Sequence, residues 1–131
     1  MRWMLLAIAL FPAAVLAQKT QAALECRHTG KDFTYDCTIK ISRDGEPLSG
    51  AQVTLGADMP SMPLAHNIKP VRAQATKTPG EYRARLELEM TGEWAVKLRL
   101  AGPVREQLIL HYEFDERGAR RLKGSAPSAR K

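Results

Sequence analysis

The chain has 131 residues, of which 44% are hydrophobic and 26% charged. That is room for one ordinary globular domain, and it excludes a multi-domain enzyme with its own cofactor fold, a collagen-like chain and a coiled coil. The formal charge of +6 lies at the ends: six of the twenty basic residues follow Glu116 with no acid among them and one is Arg2, leaving 13 basic against 14 acidic side chains over residues 18–116. A domain that reads nucleic-acid grooves needs a basic face on its folded body, so that class is excluded.

Residues 1–17, MRWMLLAIALFPAAVLA, place one positive charge before an apolar run that closes in the small-residue pattern Val15-Leu16-Ala17. This reads as a secretory signal peptide, because the run is shorter than the ~20 residues that span a bilayer and the polar Gln18-Lys19-Thr20-Gln21 resembles a cleaved end. No cysteine follows Ala17 to take a lipid. The expected product is a soluble exported protein, periplasmic in a Gram-negative host or otherwise secreted. The two cysteines, Cys26 and Cys37, both survive cleavage, and in an oxidising compartment they are expected to pair. Strands over residues 24–28 and 33–41 would put Leu24, Cys26 and His28 on one face and Phe33, Tyr35, Cys37, Ile39 and Ile41 on the apolar face of the next. The eleven-residue separation lacks the tight spacing of a zinc or redox pair.

From residue 33 onward apolar residues recur with period two, the signal of half-buried strands, and helix is nearly absent. After the Asp44-Gly45 turn, Ala51, Val53 and Leu55 mark a third strand. A Pro-rich loop over residues 58–70 leads to a short strand over 71–77 and the turn Thr78-Pro79-Gly80. Tyr82, Ala84, Leu86, Leu88 and Met90 then alternate with Glu81, Arg83, Arg85, Glu87 and Glu89. The Thr91-Gly92 turn leads to Trp94, Val96, Leu98 and Leu100, and the last strand turns Leu108, Leu110, Tyr112 and Phe114 inward. About seven short strands with turns every ten residues or so read as an all-β, immunoglobulin-like antiparallel β-sandwich, with a small closed barrel as the alternative. Residues 18–116 form this domain, and the basic, apolar-poor tail over 117–131 is expected to be disordered, with weak attraction to anionic membrane surfaces as a use for its charge.

Catalytic constellations are missing: there is no nucleophile elbow, zinc-helix motif, phosphate loop or dinucleotide fingerprint, and the three histidines, His28, His66 and His111, are scattered. Carboxylates such as Glu87 and Glu89 read as an ion-paired, solvated strand face. A binding protein, not an enzyme, is expected. The informative segment is the loop over residues 57–67, where two of the three methionines left after leader removal stand between prolines, with a histidine four residues on. A thioether is a soft, uncharged donor that selects Cu(I), and imidazole adds a borderline one. Met59, Met62 and His66, with Met90 at the inward end of a strand as a third sulfur, would make a low-coordinate copper site. The same residues also suit a plainer role, Met59 and Met62 capping the open end of the sandwich while His66 hydrogen-bonds a loop carbonyl.

Three stretches between Asp58 and Tyr112, DMPSMPLAHNIKPV, TPGEYRARLELEMTGEWAVKLRL and GPVREQLILHY, resemble the YtkA-like domain of small exported bacterial proteins and FixH-type proteins. The resemblance implies an immunoglobulin-like sandwich similar to that of CopC-type copper proteins, a metal-handling role, and Met59, Met62 and His66 as the ligands; Met90 rests on placement alone. The membrane anchor of FixH-type proteins would be missing after cleavage, and the N-terminal histidine of CopC-type Cu(II) sites has no counterpart at Gln18. Cu(I) is therefore the metal expected. The rival expectation is a metal-free periplasmic adaptor that uses the Met-Pro loop as a soft contact surface for a periplasmic or membrane partner.

Overall fold

The computed structural model describes residues 19–62, 66–122 and 128–130; the leader over residues 1–17 lies outside them. Alternation of buried and exposed side chains builds the long strands β1 (Thr20–His28), β2 (Thr34–Arg43), β4 (Gln52–Asp58), β7 (Glu81–Glu87), β8 (Gly92–Ala101) and β9 (Glu106–Asp115). Between and after them come the short β3 (Glu46–Pro47), β5 (Val71–Arg72), β6 (Gln74–Ala75), β10 (Gly118–Arg121) and β11 (Ser128–Arg130). No helix occurs among the described residues.

The strands form two sheets, ordered β1-β2-β7-β6 and β10-β9-β8-β4-β5, with β3 added to β2 and β11 to β9, and every pairing is antiparallel. With β1, β2, β4, β6, β7, β8 and β9 taken as strands A to G, the sheets are ABED and GFC, the immunoglobulin-type arrangement, and β5 is an extra edge beside strand C. Facing sides of the two sheets bury Trp94, Tyr35, Tyr82, Phe114, Ile39, Leu55, Leu86, Leu98 and Leu108 essentially completely. Each such side chain contributes about 1.5–3 kcal/mol of burial free energy.

Cys26 stands directly opposite Cys37 in the β1–β2 register, and the two form a disulfide with Cα atoms 4.0 Å apart. It staples neighbouring strands of one sheet. The segment expected as one strand over 71–77 is two: β5 pairs with β4 and β6 with β7, so the chain changes sheets at the buried Ala73, whose N–H donates to the Val53 carbonyl at 2.8 Å.

Two expectations are corrected. Phe33 is not in the core; it stands in the turn ahead of β2, after Asp32 at a φ of 47°, and is 37% exposed. The stretch expected to be disordered from Arg117 instead turns back at once as β10, pairing Gly118 with Asp115 and Arg121 with Tyr112, and β11 pairs Ser128 with Ile109. Residues 123–127 and 131 of that tail lie outside the described residues. Gly118 is buried at a φ of 138°, and a Cβ there would run into the Cys26 carbonyl oxygen. A glycine lets β10 close over the edge of β1, which a composition rich in bases and poor in apolar residues conceals.

Candidate metal centre

One end of the sandwich gathers the turn before β2, the loop after β4 and the turn between β7 and β8. The loop after β4 is closed by its own backbone. Asp58 bridges to Asn67, Ile68 N–H donates to the Ala57 carbonyl at 3.0 Å, and Met59 N–H donates to the His66 carbonyl at 3.1 Å. Inside it, Met62 N–H donates to the Met59 carbonyl at 3.0 Å and His66 N–H to the Met62 carbonyl at 3.2 Å. Pro60 takes the second position of a tight turn over residues 59–62, where its fixed φ is favoured. Residues 63–65 lie outside the described ones.

The four predicted ligands are brought to this end but differ in exposure. Met59 is a core residue, 5% exposed, and its methyl carbon would lie 3.2 Å from a Cβ at Gly92, so the glycine opening β8 makes the space that the thioether fills. Met62 is 40% exposed. Met90 is half-buried against the core; it lies in the turn beyond β7, not at a strand end as expected, because β7 stops at Glu87. Leu88 N–H donates to the Phe33 carbonyl at 3.0 Å, and Trp94 Nε1–H donates to the Met90 carbonyl at 3.1 Å. The buried indole thereby fixes the turn that carries Glu89 and Met90.

Sequence reasoning missed Glu89. The carboxylate assigned to a solvated strand face is off the strand, and its Oε2 meets His66 Nδ1 at 2.5 Å across 23 residues of sequence. Among the described residues the His66 side chain is hydrogen-bonded to this carboxylate and not to a loop carbonyl. Its Nε2 has no hydrogen-bond partner among the described residues. Parity gave a signal for Met59, since Val53, Leu55, Ala57 and Met59 continue one inward alternation, but none for Glu89, because the alternation runs on to residue 90 while the paired strand stops at Glu87.

The chemistry of the donors fits a soft cation. Among the described residues no three of His, Cys, Asp and Glu come together, and of the carboxylates at this end Glu89 is engaged with the imidazole and Asp58 with Lys97, so the group does not suit a hard ion that wants several oxygens. An accessible thioether, an imidazole held through one nitrogen, and two further sulfurs on the core side are donors of the kind that suit Cu(I). The other histidines serve locally: His28 Nε2 lies 2.8 Å from the Asp32 carbonyl and its ring stacks edge-on with Tyr35.

No curated protein and no solved structure matches this chain. The YtkA-like family model matches residues 17–99, more than half of the chain, spanning both cysteines, the methionine loop, Glu89 and Met90. With that match over a two-sheet antiparallel sandwich, the chain belongs to the YtkA-like family.

Proposed function

We propose that the protein is an exported copper carrier that holds Cu(I) at the loop after β4 and exchanges it with a partner by ligand substitution. The observation that carries the reading is the His66 ring, held through Nδ1 by Glu89 in a loop whose backbone ties His66 to the exposed Met62. Met59 and Met90 complete the ligand set from the core side. The leader and the Cys26–Cys37 disulfide support a periplasmic or secreted location, since disulfides persist in oxidising compartments. Binding without catalysis is what an open, low-coordinate site on a surface loop is suited to.

Anaerobic Cu(I) titration of residues 18–131 against a competing chelator tests this. One-to-one binding is expected, weakened at least about tenfold in Met62→Ala/His66→Ala, as for loss of ligands worth more than 1.4 kcal/mol. Unchanged affinity in the double variant overturns the reading. A second reading has its own observation: Phe33 and Met62 are the large hydrophobic side chains exposed among the described residues, Phe33 tied to the β7–β8 turn and Met62 in the loop after β4. On that reading this end is an apolar contact surface for a partner protein, and His66→Ala leaves partner capture intact.

A further inference from the structure

Glu89 and His66 are both solvent-accessible, with side chains 50% and 27% exposed. Surface pairs of this kind contribute little to stability, about 0–1 kcal/mol, so the contact needs another use. Its geometry supplies one. At 2.5 Å the Glu89 Oε2 and His66 Nδ1 share a hydrogen bond, and a carboxylate, which is acceptor-only when ionised, requires the imidazole to be the donor. A neutral ring that carries its proton on Nδ1 presents Nε2 as a bare lone pair, the form in which imidazole ligates a metal.

The carboxylate also stands on fixed backbone. Leu88 on one side of it is tied to Phe33, and Met90 on the other to the Trp94 indole. No other ion pair competes for it among the described residues, the neighbouring Arg85 being engaged with Asp36 at 2.9 Å. We infer that Glu89 is the positioning residue of this site: it locks His66 in the Nδ1–H tautomer and so leaves Nε2 as the nitrogen for a metal. This rests on the copper reading for its purpose but not for its geometry. Carboxylates behind metal-bound histidines commonly set affinity by about 10–100-fold.

The test reads the metal-free and the loaded protein separately. In residues 18–131 labelled with ¹⁵N, long-range ring correlations at about pH 8 should show His66 as the Nδ1–H tautomer, shifting toward Nε2–H in Glu89→Ala. Glu89→Gln, whose side-chain oxygen can still accept the hydrogen bond, should restore the wild-type tautomer. Anaerobic titration with Cu(I) alone should show about tenfold or greater weakening in Glu89→Ala, most of it recovered in Glu89→Gln, with thermal midpoints unchanged. A tautomer indifferent to Glu89→Ala overturns the inference whatever copper does. A tautomer that follows Glu89 in a protein that binds no Cu(I) overturns the copper reading and leaves the hold on the ring standing.

Discussion

Met59 and Met62 are the same residue three positions apart, yet one is core and the other surface. The difference is legible once parity is carried past Asp58: Met59 extends the inward series of β4, and the turn at Pro60 then reverses the chain so that Met62 points out. Composition alone could not separate them, because methionine serves equally as gap-filler and as soft ligand. An alanine at both positions therefore does not leave stability untouched, as a purely surface loop would allow. Met59→Ala is expected to cost about 2–5 kcal/mol, the range for truncating a buried aliphatic side chain. Met62→Ala should fall within about 0.5 kcal/mol of wild type, and Met59→Leu, which removes sulfur but keeps volume, should cost less than about 1.5 kcal/mol. Urea midpoints of the three variants check this ranking, and Met59→Leu is the variant in which to ask whether the buried sulfur binds copper.

At the scale of elements, β7, β8 and β9 were readable because apolar residues alternate through most of their seven to ten positions, interrupted in β8 by the buried Ala95. The two-residue β5 and β6 have no period to read, and β10 carries its packing in a glycine, where the decisive property is a missing side chain. The disulfide was readable from compartment and parity together. Its register contact shows what it adds: Cys26 and Cys37 already face each other through the β1–β2 ladder, so the bridge chiefly restrains the unfolded chain. For a sequence separation of 11 that restraint amounts to about 3 kcal/mol in the chain-entropy account. Cys26→Ser/Cys37→Ser should accordingly lower the unfolding free energy from urea titration by that amount with an unchanged far-ultraviolet spectrum. A loss of sheet signal would mean instead that the bridge holds β1 in place.

Across the whole molecule the two sheets are joined by more than apolar contact. Leu24 N–H of β1 donates to the Tyr112 hydroxyl of β9 at 2.9 Å, the Tyr35 hydroxyl of β2 donates to the Asp115 carbonyl at 2.8 Å, and Arg43 Nη1 meets Glu106 Oε1 at 2.7 Å, where Thr20 also donates. The sequence showed aromatic bodies in the core but not these polar tips, since which carbonyl a hydroxyl meets depends on how the sheets stack. Tyr35 makes one such tie testable by pH. Burial first, then the nearby charges of Asp115 and Glu116, push its ionisation above the ordinary 10.0. Below about pH 10 the hydroxyl is protonated in folded and unfolded chains alike, and its tie is fully present. Above that the unfolded chain releases the proton while the fold retains it, so stability falls as pH climbs toward the raised value. Tyr35→Phe lacks this slope. At about pH 8 it should be less stable than wild type by about 1 kcal/mol, the lost hydrogen bond, and the gap should narrow as pH rises beyond about 10. Urea midpoints of both proteins along that series decide it: a gap that stays constant would mean the Tyr35 hydroxyl is solvated in the fold and the sheets are not joined there.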